Sequence, residues 1–158
     1  MHQGERFPLS SPQATGMARA TALEFANESA VVSIFDTNDA KGQKTVTMIR
    51  DQGAKAGFFQ CDVTKAGAID AAFDASVADF GPDNVLLNHA GSIIVKLLHH
   101  TTEDEYDWPT DFNVESAFLV WRRAVKEMAD TVGGPISTMA AEMAKSAMFG
   151  SAAIWRMT

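Results

Sequence analysis

Along this chain, short apolar runs alternate with longer stretches in which apolar residues recur at helical spacing. Val31, Val32, Ile34 and Phe35 form a compact run, β-branched and continuous, as in a strand covered on both faces. Lys55–Gln60, Asn84–Asn88 and Pro135–Met139 read as further strands. Arg6–Ser10 reads as one more, although Pro8 removes a ladder donor and weakens it. Helical patterns lie between them. Met17–Asn27 places Ala20, Leu23 and Ala26 on one face, and Thr37–Asp51 turns Val46 and Ile49 inward. Ala66–Phe80 is the clearest helix, with Ile69, Phe73, Val77 and Phe80 at helical spacing and Gly81-Pro82 to end it. Glu115–Asp130 is another, with Val114, Phe118, Trp121, Val125 and Met128 on one stripe. Pro109, in upstream sequence that should be helical, predicts a local kink or break. Strand alternating with helix implies parallel strands with helices on both faces, a doubly wound α/β sheet. Right-handed crossovers then fix most of the winding.

The length of 158 residues fits one domain, expected to run from residue 1 to residue 158. Thirteen Lys and Arg against twenty Asp and Glu leave a net charge of −7. An acidic surface repels phosphate backbones, so no nucleic-acid partner is expected. The single cysteine, Cys61, cannot form an internal disulfide, which fits a reducing, cytoplasmic setting. No apolar run reaches membrane-spanning length and Met1–Ser10 holds no apolar signal core, so no membrane partner is expected. No metal site is expected.

Candidate chemistry sits at the ends of the strands. Between the first strand and first helix, a dinucleotide fold wants glycines, because the backbone must approach a pyrophosphate at a helix N-terminus. Ser11 to Arg19 supplies only Gly16, which alone reads as an ordinary helix start. Asp36 ends the second strand, 20 residues after Gly16. A carboxylate there accepts hydrogen bonds from adenosine ribose hydroxyls and disfavours a 2′-phosphate, which selects NAD over NADP. Taken alone, Asp36 is a solvated aspartate capping the next helix. In Cys61-Asp62-Val63-Thr64, Asp62 either meets an adenine amino group or caps the following helix with Thr64. Cys61 reads as a small buried hydrophobe. Leu86-Leu87-Asn88-His89-Ala90-Gly91 closes the fourth strand with small residues that permit close backbone approach to a ligand, or simply turn the chain. His99-His100 is a pair of the kind more often solvated than catalytic.

In their order and spacing these segments resemble the short-chain dehydrogenase/reductase family, nearly without gaps from Gly4 to Thr158. The family's glycine turn falls on Ser11 to Ala18, its acidic residue on Asp36, and its Asp-Val pair on Asp62-Val63. Its Asn-Asn-Ala-Gly motif falls on Asn88-His89-Ala90-Gly91, and its catalytic asparagine on Asn113. The resemblance implies a Rossmann-like sheet of order 3-2-1-4-5, with the C-terminal strands of the family domain missing. It implies NAD held by Gly16, Met17, Asp36, Asp62, Val63, Asn88, Ala90 and Gly91, and Asn113 holding a proton-relay water. The implied activity is an oxidoreductase moving a hydride between nicotinamide and a secondary alcohol or ketone.

The departures cluster at the two ends. Pro12 replaces the first glycine of the turn and Ala18 the third. Both weaken the expected cofactor binding, since strain and overpacking cost about 1–3 kcal/mol each. The family's serine, tyrosine and lysine fall on Ala141, Ile154 and Thr158. Alanine and isoleucine move no proton. His89, on the nicotinamide side by its place in the motif, is the best substitute proton carrier, though a structural role is favoured. The expectation is therefore a weak or inactive dehydrogenase, truncated after Thr158. The alternative is a non-catalytic module that binds a nucleotide or another protein. Homo-oligomers would form through helix 115–130 or the uncovered edge of the fifth strand.

Overall fold

The computed structural model describes residues 6–10, 16–92, 94, 96–131 and 133–139. In chain order the elements are β1 (Arg6–Ser10), α1 (Gly16–Asn27), β2 (Val31–Asp36), α2 (Asp39–Asp51), β3 (Ala56–Gln60), α3 (Ala66–Phe80) and β4 (Leu86–Asn88). A 3-10 turn (Leu98–His100), α4 (Glu103–Thr110), a π-helical turn (Asp111–Glu115), α5 (Ser116–Met128) and β5 (Ile136–Thr138) follow. The strands form one sheet in the order β3-β2-β1-β4-β5, every pair parallel. This is the doubly wound sheet that the alternating pattern implies, in the Rossmann-like order that the resemblance implies.

The register brings the carboxyl ends of all five strands to one edge. Asp36 faces Gln60, Phe35 faces Ser10, Ser10 faces Asn88, and Asn88 faces Thr138. The chain winds outward from β1 to β3, then crosses back to β4. The winding reverses between β1 and β4, where open α/β sheets bind their ligands.

Pro8 lies inside β1, the central strand, opposite Ser33. Proline is normally confined to sheet edges because it lacks the ladder donor. Here β1 pairs with β2 along its length, while its ladder to β4 spans only Leu9 and Ser10, beyond the proline.

The alternation of side chains along β2 divides the core. Val32 and Ile34 join Ala22, Ala26, Val46 and Ile49 under α1 and α2. On the other face Phe35 packs with Phe59, Phe73, Leu86 and Val120 under α3 and α5. Ser33 points the same way and shares a buried 2.6 Å hydrogen bond with Ser76 of α3.

Two helices present a different face from the one their spacing suggests. In α1 the buried residues are Ala18, Ala22 and Ala26, while Ala20 is exposed and Leu23 only half-buried. Methyl groups at i, i+4 and i+8 let the helix axis approach the sheet more closely than leucine would. In α5 the inward residues are Ala117, Val120, Ala124 and Met128. Val114, Phe118 and Val125 lie on the outside, at 45%, 56% and 52% exposure, and of the expected stripe only Met128 is fully buried. Trp121 is half-buried and its indole N–H donates to Thr138 Oγ1 of β5 at 3.1 Å.

Nor does the helix break at Pro109. α4 runs through it to Thr110 and passes directly into the π turn. The missing proline N–H and the ring's clash with the preceding turn disturb the ladder here, and a widened register is one way to absorb that. α4 starts with a capping box, in which Thr102 Oγ1 accepts from Glu105 N–H and the Glu105 carboxylate accepts from Thr102 N–H. Thr102-x-x-Glu105 is a sequence signature of a helix start, and it marks an element that the apolar pattern alone passes over.

Candidate functional site

The ends of β1, β2, β3 and β4 carry most of the residues picked out by their chemistry. Gly16 opens α1 with φ of +59°, a left-handed conformation that glycine adopts without strain. Among the described residues, a Cβ added there would meet nothing within 4 Å. Met17 is exposed, at 63%. Ala18 is buried in the inner face of α1, so its methyl is taken up by helix–sheet packing.

Asp36 is not solvated: it is 1% exposed. Its Oδ1 accepts from Asn38 N–H at 2.8 Å, which tightens the turn out of β2. The cap of α2 is Asn38, whose Oδ1 accepts from Lys41 N–H. Asp36 thus acts one step upstream of the cap.

Asp62 does not cap α3. That position is Lys65, which makes no side-chain cap bond. Asp62 Oδ1 accepts from both the hydroxyl of Thr64 (2.6 Å) and its N–H (3.1 Å), and Oδ2 pairs with Lys65 Nζ at 3.0 Å. The Thr64 hydroxyl is the main reason the Asp62 carboxyl sits below the usual range, with Lys65 adding to it. Val63 is buried. Cys61 is buried too, and desolvation, reinforced by the Asp62 charge, pushes its thiol up to about 11. It is protonated and inert at neutral pH, as a small hydrophobe should be.

After β4, Asn88 and Ala90 are buried and Gly91 is half-buried. His89 Nδ1 is buried without a hydrogen-bond partner among the described residues. Desolvation lowers the His89 pKa, so the ring is neutral at physiological pH. His99 and His100 are both exposed, with their rings edge to face at 4.1 Å.

Asn113 lies in the π turn and is buried. Its side-chain amide grips the backbone of Ser92, just past Gly91: Oδ1 accepts from Ser92 N–H at 2.7 Å and Nδ2–H donates to Ser92 O at 2.8 Å. A second tie joins the same loop to α4, where Lys96 Nζ meets both oxygens of Glu105 at 2.8 Å. Asn113 therefore stands against the loop that leaves the β4 edge. The sequence identifies Asn113 but gives no sign of Ser92, because the contact runs through backbone atoms. Ala141, Ile154 and Thr158 lie outside the described residues, as do Ser11 to Thr15.

Comparison with known proteins agrees with this architecture. A family model described as short chain dehydrogenase matches residues 13–153. An uncharacterized oxidoreductase of Thermotoga maritima is 31% identical over 128 residues, 81% of this chain and 50% of that protein. A cyclopentanol dehydrogenase of Comamonas testosteroni is 34% identical over 115 residues, 73% of this chain and 46% of that protein. The crystal structure of a short-chain type dehydrogenase/reductase from Mycobacterium marinum superposes with a TM-score of 0.87 at 25% identity, covering 94% of this chain and 60% of that one. The chain belongs to the short-chain dehydrogenase family. It spans about half the length of the curated relatives it matches. No helix among the described residues is long and apolar enough to cross a membrane.

Proposed function

We propose that this chain carries the dinucleotide-binding part of an NAD(H)-dependent oxidoreductase acting on a secondary alcohol or ketone, with weak or no hydride transfer of its own. The observation that carries the reading is the convergence of Gly16, Asp36, Asp62 and Asn88 on the carboxyl edge of the sheet, around the reversal between β1 and β4. Gly16 and Met17 would take the pyrophosphate at the start of α1, and Asp36 the adenosine ribose. Asp62 and Val63 would border the adenine, and Asn88, Ala90 and Gly91 would back the cofactor. The left-handed backbone of Gly16 at the start of α1 fits this assignment. The enclosure of Asp36 fits it less well, because ribose hydroxyls reach that carboxylate only once its surroundings yield. That cost adds to the loss of two glycines at Pro12 and Ala18, so binding is expected to be weak. Bound nicotinamide supplies the hydride donor or acceptor.

The proton is the harder part. Ala141 and Ile154 have no exchangeable side-chain proton, and a threonine hydroxyl such as that of Thr158 is a poor acid without a base to activate it. With both ends of its amide on Ser92, Asn113 meets a relay water through remaining amide capacity or its backbone carbonyl. Its part is to position, not to transfer. Titrating NADH into the full chain while following Trp fluorescence tests the reading. Weak saturable binding, loosened by Asp36→Asn and less favourable for NADPH, is expected. Micromolar affinity would overturn the weak-binding claim, and steady reduction of any ketone would overturn inactivity.

A second reading, a non-catalytic interaction module, is favoured by the outward stripe Val114, Phe118 and Val125. Helix 115–130, or the edge of β5, would then meet a second copy. A single monomeric species in sedimentation, unchanged by Phe118→Glu, would remove this reading.

A further inference from the structure

We draw no further inference here: the strongest candidate, the His89 imidazole at the start of the loop that leaves β4, with its Nδ1 buried and without a hydrogen-bond partner among the described residues, belongs to the site already described, and nothing in the structure shows that its ring faces a ligand.

Discussion

The amide of Asn113 occupies both hydrogen-bonding groups of the Ser92 backbone, at 2.7 and 2.8 Å, across 21 residues of sequence. One side chain thus satisfies a backbone N–H and C=O in the loop that follows β4. It holds the exit of the β4 loop against the π turn.

Asn113→Leu keeps the side-chain size and removes both bonds. The variant should lose about 2 kcal/mol of stability, since each buried backbone group left unpaired costs about 1–3 kcal/mol and partial rehydration offsets some of it. Asn113→Asp keeps the acceptor but turns a carboxylate oxygen toward the Ser92 carbonyl, and should lose at least as much at neutral pH. Urea denaturation gives the stability, and amide exchange at Ser92 gives the local effect. Unchanged exchange at Ser92 in Asn113→Leu would show that the loop is held by something else.

Arg123 joins α5 to α3. Its guanidinium reaches Asp74 Oδ1 and Glu127 Oε2 at 2.7 Å and Asp70 Oδ1 at 3.5 Å, and lies 5.1 Å over the Phe73 ring. Burial works against its charge, but the bonds to Asp74 and Glu127 outweigh it and the pKa rises. Glu127 is itself largely buried and also accepts Asp83 N–H at 3.0 Å. Arg123→Met strands that carboxylate and should cost about 3 kcal/mol, whereas Arg123→Lys should cost about 1 kcal/mol. Thermal unfolding of the two variants separates charge from geometry, and equal losses would mean that the planar fork contributes nothing.

His89 gives the fold an acid-sensitive point. Its pKa is lower in the folded chain than in the unfolded one, because burial disfavours the imidazolium. The unfolded chain therefore binds the proton first. Stability from this group is fully present above the unfolded value of about 6.5, falls as pH drops through that value, and levels off below the folded pKa. His89→Asn should flatten the stability profile in that window. Denaturation midpoints from pH 5 to 8 provide the check, and parallel curves for the two proteins would assign the acid sensitivity elsewhere.

Gly134 packs directly on the backbone of Asn84, so that an added Cβ would fall onto the Asn84 carbonyl. The adjoining Pro135 carbonyl accepts from Leu86 N–H at 3.1 Å at the start of the β4–β5 pairing. Backbone cannot rotate aside as a side chain can. Gly134→Ala should cost about 1–3 kcal/mol and loosen β5 from the sheet. Faster amide exchange in β5 than in β2 would report it, and a melting temperature equal to that of the parent would refute it.

The pattern of apolar runs locates all five strands and α1, α2, α3 and α5 to within a few residues, most strongly at β2 and β4, where burial on both sheet faces leaves a continuous apolar run. It fails on helix orientation. α5 carries two apolar stripes, and periodicity favours the one with the larger side chains, Val114 to Val125. The sheet takes the stripe of Ala117, Val120 and Ala124, because small residues permit close packing. α1 repeats the lesson with Ala18 and Ala22 in place of Ala20. At the site, Gly16, Asp36, Asp62 and Asn88 are legible from their order at the strand ends. Ser92, Thr64 as the partner of Asp62, and the enclosure of Asp36 are not, since each depends on distances that spacing does not encode.

By itself, then, the sequence determined the family, the parallel sheet and the strand ends at which the candidate site residues stand. These follow from local composition: which runs are apolar, which turns need glycine, which ends carry a carboxylate. The tertiary structure alone decided which helix face meets the sheet, that residues 111–115 wind as a π turn, and that Asn113 holds the Ser92 backbone. Those outcomes are settled by close packing and by the pairing of buried polar groups between segments far apart in the chain, where local pattern carries no information.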